Sequence, residues 1–262
     1  NEIKTLLNIE VKLEEQKLEN GTVVSAEAFE KDNEIFIVTD DEKIAMPVGE
    51  YLLEDGRLVR WDDKLYLIGV RRDTTTNGEG RMEYSEIEFI DGKPKEVSRT
   101  RIGAPGTDES YCEKNWMPLI EEPHKFVKWT NPIEVVEADL ESGISTTIKL
   151  GDQRFNAPLD FRGSSQVLTI DDQYVFLIHE TAFWYNKAHQ KEAQYYHRFV
   201  IYDKDWNFLR ASQRFKFMDN YVEFSCGIAK DGDSFYITFG TQDNSAYIVK
   251  TSYELIKAFI YE

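Results

Sequence analysis

Five stretches of the chain run from a short polar turn, mostly acidic, into a segment whose apolar and aromatic residues alternate with polar or small ones. They are Asp32–Val38, Asp62–Gly69, Glu122–Trp129, Asp171–Glu180 and Asp231–Gly240. A turn followed by period-two alternation predicts a half-buried β-strand. After the first interval the pattern recurs at roughly 50–60 residues, a spacing that predicts a β-propeller rather than a sandwich. The fold expected is all-β, a five-bladed β-propeller. Only about 30 residues separate the first two repeats, so the first blade is expected to be incomplete.

The rest of the pattern fills in around these strands. Alternation over residues 7–13 predicts a strand, Asn20-Gly21 a turn, and Val23–Phe29 and Ile35–Thr39 two further strands. Three polar stretches read as loops: Arg72–Arg81, Gly103–Ser110 and Thr181–Gln194. The last holds Phe183, Trp184, Tyr185 and His189, an aromatic set suited to covering a ligand. No linker composition interrupts the chain, so residues 1–262 are read as one propeller domain. It begins at Asn1, which fits a domain cut from a longer chain.

Composition narrows the function classes. The aromatic fraction is 13%, which suits blade cores first and sugar stacking second. A formal net charge of -17 repels nucleic acid and anionic membrane surfaces. Cys112 and Cys226 match no metal spacing and are expected as two buried free thiols. No apolar run approaches the ~20 residues of a membrane span, and no signal peptide is visible, so a cytoplasmic protein is expected. Nothing in the sequence specifies an oligomeric state.

Candidate chemistry lies at the strand ends. In Glu54-Asp55-Gly56-Arg57, adjacent carboxylates on an extended strand face opposite ways, while Arg57 shares the face of Asp55 and can hold its carboxylate. The same residues also fit a solvated turn with a surface ion pair. Glu113-Lys114-Asn115-Trp116 offers hydrogen-bond donors and an indole for stacking, or alternatively a strand entry with Trp116 in the core. Phe161-Arg162-Gly163-Ser164-Ser165-Gln166 pairs polar anchors with a glycine that permits close backbone approach. His179-Glu180 ends an apolar strand, and Tyr195-Tyr196-His197-Arg198 follows. No nucleophile elbow, phosphate loop, zinc motif or dinucleotide fingerprint is present.

Taken in order, these segments resemble glycoside hydrolase family 130, a group of β-mannoside phosphorylases and hydrolases on five-bladed propellers, with related β-1,2-mannosyltransferases. Glu54-Asp55-Gly56-Arg57 is similar to the family's Glu-Asp-Pro-Arg motif, with Gly56 in place of the proline. Glu113-Lys114-Asn115 is similar to its Lys-Asn segment. Arg162-Gly163-Ser164 with His179-Glu180 resembles its glycine-bearing blade entry and following strand. Glu223, Gly227, Gly240 and Asp243 resemble its closing blade. The forms seen here look more like an uncharacterised branch, often attached to glycosyltransferase modules, than like the phosphorylases.

The resemblance implies an enzyme that cleaves or transfers β-mannosides or similar glycosides. Asp55 is the implied general acid, protonating the glycosidic oxygen through a hydroxyl of the bound sugar. The implied substrate-binding residues are Glu54, Arg57, Lys114, Asn115, Trp116, Arg162, His179, Glu180, Tyr196, Arg198, Glu223 and Asp243. No organic cofactor or metal is implied. Partners are an oligosaccharide or sugar phosphate, with inorganic phosphate as co-substrate in the phosphorolytic version, held by Lys114, His179 and Arg101 or Arg162. A hydrolase would need a second carboxylate, for which Glu113, Glu180, Glu223 and Asp243 stand open. The alternative is a non-catalytic glycan-binding or scaffold module of a larger glycosyltransferase.

Overall fold

The computed structural model describes residues 26–29, 34–38, 43–46, 53–71, 79–106, 112–151, 161–242 and 244–262, the first three ranges as backbone only. The described chain is almost entirely β. Strands β1 (Ala26–Phe29), β2 (Glu34–Val38) and β3 (Lys43–Met46) form one sheet. Strands β4 (Glu54–Trp61), β5 (Lys64–Arg71), β6 (Arg81–Ile90) and β7 (Lys93–Arg101) form the next. The third joins β8 (Met117–Pro118), β9 (Lys125–Thr130), β10 (Ile133–Ala138) and β11 (Ser145–Leu150). The fourth joins β12 (Arg162–Gly163), β13 (Leu168–Ile170), β14 (Gln173–Tyr185), β15 (Lys191–Asp203) and β16 (Phe208–Ala211). The last holds β17 (Glu223–Asp231), β18 (Ser234–Thr241) and β19 (Ser245–Ser252), followed by helix α1 (Tyr253–Tyr261).

Neighbouring strands within each sheet run antiparallel, and the arrangement is a β-propeller. The blade count differs from expectation. Four blades are described with their side chains, β4–β7, β8–β11, β12–β16 and β17–β19, where the repeats predict five. The first repeat falls on β2, in a small sheet of short strands described by backbone pairing alone.

Each repeated segment supplies an interior strand of its sheet: β2, β5, β9, β14 and β18. The acidic turns before β5 and β14 have a specific geometry. Asp62 and Asp63 have φ 48° and 64°, and Asp171 and Asp172 have φ 51° and 60°. A two-residue hairpin with both φ positive matches the right-handed twist of the flanking strands, and aspartate tolerates that region. At β18 the turn takes its positive φ at Gly232.

The core lies between blades. Trp61, Tyr66, Ile68, Tyr84, Trp116 and Phe126 fill the space between the β4–β7 and β8–β11 sheets. Met117, Val127, Val135, Phe176, Ile178 and Val200 fill the next interval. Leu177, Phe199, Phe235, Ile237 and Phe239 fill the last, where α1 adds Ile256, Phe259 and Ile260. Ser252 caps that helix by accepting from the Leu255 N–H. Burying each large side chain contributes about 1.5–3 kcal/mol, so these interfaces dominate stability.

Two further expectations change. Thr181–Gln194 is not a loop. β14 and β15 pair in unbroken register from Gln173↔Asp203 to Tyr185↔Lys191, giving an extended hairpin whose turn is Asn186–Gln190. Its mixed polar and aromatic residues hide a strand because both faces of the outer half are partly exposed, which removes the alternation a buried face imposes. The strand expected at 7–13, and residues 72–78 and 107–110 of the two expected loops, lie outside the described residues.

Candidate functional site

Arg57 is the centre of the site. It is 1% exposed. Its Nε donates to the Ser164 carbonyl at 2.6 Å, its Nη1 to the Asp55 carbonyl at 2.7 Å and its Nη2 to Asn115 Oδ1 at 3.4 Å. One guanidinium therefore ties together three blades, through β4, the segment before β8 and the segment after β12. Burial lowers its pKa, while the nearby Asp55 charge works in the opposite direction. The Phe224 ring, at the start of β17, lies 6.0 Å away and brings in the fourth blade.

Asp55 does not sit on a regular strand. The β4–β5 register shifts between Glu54 and Arg57, and Asp55 has φ 54°. This is a bulge, which re-aims side chains at the end of a strand. The expectation that Arg57 grips the Asp55 carboxylate from the same face of an extended strand is corrected. The hydrogen bond goes to the Asp55 carbonyl oxygen, so the arginine fixes the bulged backbone. Asp55 is half-buried and Glu54 exposed.

His179 lies beside this network. It is 3% exposed, and its Nδ1 shares a hydrogen bond of 3.1 Å with Ser164 Oγ. Its ring stacks on Tyr195 at 5.6 Å and meets the edge of Phe224 at 5.1 Å. Arg162 is its cross-strand partner in the β12–β14 pairing. Burial drives its pKa well below the usual histidine value, helped by His197, Arg162, Arg57 and Lys114. The imidazole is therefore neutral, among cationic neighbours.

Next to it a pocket of about 220 Å³ opens between the β8–β11 and β12–β16 blades. Lys114, Lys128, Arg162 and Glu113 bring charge to its wall, and Asn115 and Gly163 complete the join to Arg57. A Cβ added at Gly163 would fall on the Asn115 carbonyl and come within 2.8 Å of Met117 Cγ, so the close approach of the two blades here requires glycine. Half-buried Cys112 also lines this pocket, whereas Cys226 is buried, and neither is in a disulfide.

Several expected residues take other roles. Trp116 is fully buried and donates from Nε1 to Glu113 Oε2 at 2.9 Å, so it offers no open stacking face. Glu113 is also 3.5 Å from Lys128 Nζ. Glu180 points to the opposite side of β14 from His179, as adjacent strand residues must, and pairs there with Arg198. Tyr196 shares that side and lies beneath Arg214. The Glu223 carboxylate accepts from the backbone N–H groups of Phe217, Met218 and Asn220 at 2.6, 3.0 and 2.7 Å, which makes it a loop staple. Arg101 sits on β7 with its guanidinium 3.4 Å from Glu83. Asp243 lies outside the described residues.

Some contributors carried only a faint signal in the sequence. Ser164 and Phe224 stood within quoted motifs but look like ordinary turn and strand residues. Lys128 had a clearer one, since a lysine directly after the buried Phe126 and Val127 in an interior strand needs a partner or a ligand. Gln166 donates to the Leu58 carbonyl at 2.9 Å and accepts from the Ile228 N–H at 3.1 Å, closing the axis between β4 and β17. Beyond it, a separate cavity of about 360 Å³ reaches Arg60, Glu121 and Lys230. The residues around Arg57 and this cavity therefore occupy different ends of the channel.

No protein-family profile matches the chain, and no curated protein matches it. Solved structures do match in fold. A glycosyl hydrolase from Bacteroides ovatus superposes with a TM-score of 0.54 at 12% identity, covering 89% of this chain and 85% of that one. A β-1,2-mannobiose phosphorylase from Listeria innocua, in complex with β-1,2-mannobiose, gives 0.55 at 14%, covering 87% and 69%. A mannose phosphorylase from Leishmania mexicana, in complex with phosphate ion, gives 0.53 at 10%, covering 96% and 91%. In fold, this chain is similar to propellers of glycoside hydrolases and mannose phosphorylases.

Proposed function

We propose that this chain is a carbohydrate-active propeller that cleaves or transfers β-mannosides or similar glycosides at the Arg57 end of its channel. The observation that carries the reading is the Arg57 network, which fixes the Asp55 bulge beside a cationic, largely buried cluster. The β1–β3 sheet is read as the fifth blade, because β1 lies alongside β4 and β3 alongside β7.

In this mechanism the Asp55 carboxyl gives its proton, through a sugar hydroxyl, to the glycosidic oxygen as the bond to the anomeric carbon breaks. An acceptor oxygen attacks that carbon from the opposite face. Arg57 holds the bulge, while Lys114 and Arg162 hold an anionic acceptor such as inorganic phosphate. Neutral His179 supplies a hydrogen bond without adding charge. An anionic acceptor is favoured over water by the cationic side chains of Lys114, Lys128 and Arg162 on the pocket wall. Of the second-carboxylate candidates, Glu180 and Glu223 are engaged elsewhere, Glu113 is held at the pocket wall by Trp116 and Lys128, and Asp243 lies outside the described residues. Inverting hydrolysis needs such a carboxylate about 6.5–9.5 Å from the acid to activate water.

The test is a mass-spectrometric screen of mannose-configured oligosaccharides with and without inorganic phosphate. Phosphate-dependent appearance of a sugar phosphate supports the reading. Binding without turnover under both conditions supports the non-catalytic module instead.

A further inference from the structure

The outer half of the β14–β15 hairpin has a surface that the catalytic reading does not use. Cross-strand partners share a face, so His179, Thr181, Phe183 and Tyr185 line one side with His197, Tyr195, Ala193 and Lys191. That face begins at buried His179, continues through Tyr195 stacked on it, and ends on Phe183 and Tyr185, which are 50% and 70% exposed. The aromatic strip therefore leads outward from the candidate site itself.

The hairpin is built to stay rigid with these rings in the open. Asn186 Oδ1 accepts from the N–H groups of Ala188 and Gln190 at 2.9 and 3.0 Å, and its Nδ2 donates to Gln190 Oε1 and Glu192 Oε1 at 3.1 and 2.8 Å. Lys191 Nζ lies 4.0 Å from the Phe183 ring centre. On the reverse face Trp184 packs on Tyr221 at 5.9 Å, and the Tyr195 N–H donates to the Tyr221 carbonyl. A pre-ordered surface loses little freedom when it binds.

We propose that this strip binds the outlying sugars of an uncharged oligosaccharide whose reacting bond sits at Asp55. The inference rests on the proposed function and adds to it the class of substrate: a glycan longer than a disaccharide. Size selects this occupant. The exposed strip is two strands wide, about 10 Å, and some five residues long, far below the ~800 Å² per partner of a stable protein interface. Charge agrees, because Lys191 is the one charged side chain on the strip and its ammonium is turned over Phe183. Aromatic rings stack on the apolar faces of pyranoses and leave their hydroxyls in water.

The experiment compares β-1,2-mannobiose with β-1,2-mannotetraose by titration calorimetry, using the native protein and Phe183→Ala/Tyr185→Ala. The native protein should bind the tetrasaccharide more tightly. The double variant should lose about two- to tenfold per ring for the tetrasaccharide and little for the disaccharide. Equal losses for both sugars, or none for the tetrasaccharide, overturn the inference while leaving the proposed function standing. Failure of the native protein to bind either sugar overturns both. A native dimer dispersed by the double variant in sedimentation assigns the strip to self-association and overturns the inference. Both rings are exposed, and an unchanged near-ultraviolet circular dichroism spectrum and melting temperature confirm that the variant is folded.

Discussion

Arg57 Nε donates to the carbonyl of Ser164, 107 positions away along the chain, at 2.6 Å. This bond joins two blades, and the same guanidinium holds the Asp55 carbonyl. Structure and chemistry are thus coupled at one side chain.

Arg57→Met should show that coupling. It leaves the Ser164 and Asp55 carbonyls without their buried donor, at a cost of about 2–5 kcal/mol. Arg57→Lys should recover little, because an ammonium lacks the planar fork that reaches three acceptors. Chemical denaturation of the native and both variant proteins checks this. A lysine variant as stable as the native protein would remove Arg57 as the organising residue.

Gln166→Leu isolates structure from chemistry. It deletes the bonds to Leu58 and Ile228 at the channel axis and should destabilise by about 2–4 kcal/mol. Gly163→Ala should act at the neighbouring seam, with overpacking against Asn115 and Met117 costing roughly 1–3 kcal/mol. Denaturation midpoints report both. A neutral Gln166→Leu would mean that the axis is not held by this amide.

The buried histidines set a pH dependence. His197 is pushed down to about 3 by burial, and His179 is also well below its usual value, chiefly by burial. Below about pH 6.5 the unfolded chain takes up these protons and the native state does not, so this stabilisation is complete above that pH and is lost on acidification. For His197 the loss at pH 5 is about 2 kcal/mol. His197→Gln keeps an acceptor for the Ser225 N–H at that position but cannot titrate. The stability gap between native and variant should shrink by that amount between pH 7 and pH 5. A constant gap would contradict the assignment.

The strands were legible because each repeat sets an apolar and aromatic run behind a tight polar turn; the half-buried strand expected there is corrected at β5, β9, β14 and β18, which lie between blades and are buried on both faces over most of their length. Asp62-Asp63 and Asp171-Asp172 were legible as turns because two aspartates tolerate the positive φ that a tight hairpin needs. The blade count was harder, since strand repeats mark sheets without saying how a short sheet closes a ring. At the site, the Asp55 segment, Lys114-Asn115 and Arg162-Gly163 were visible as ordered motifs. The pairing of Glu180 with Arg198 and the engagement of Glu223 by three backbone donors were not, because these depend on partners distant in sequence or on a local loop geometry that spacing does not reveal, and spacing left Trp116 open between a stacking face and the core. The bulge at Asp55 was invisible for a related reason: it exists only relative to the register of β5.

The most direct test is turnover by Asp55→Asn. The native protein and the variant are incubated with β-1,2-mannobiose and inorganic phosphate, and released sugar and sugar phosphate are quantified beside binding of the same sugar. The variant keeps the shape of the side chain and loses the proton it donates, so turnover should fall by ~10²–10⁴ with binding nearly unchanged. Full turnover by Asp55→Asn would contradict the assignment of Asp55 as the general acid.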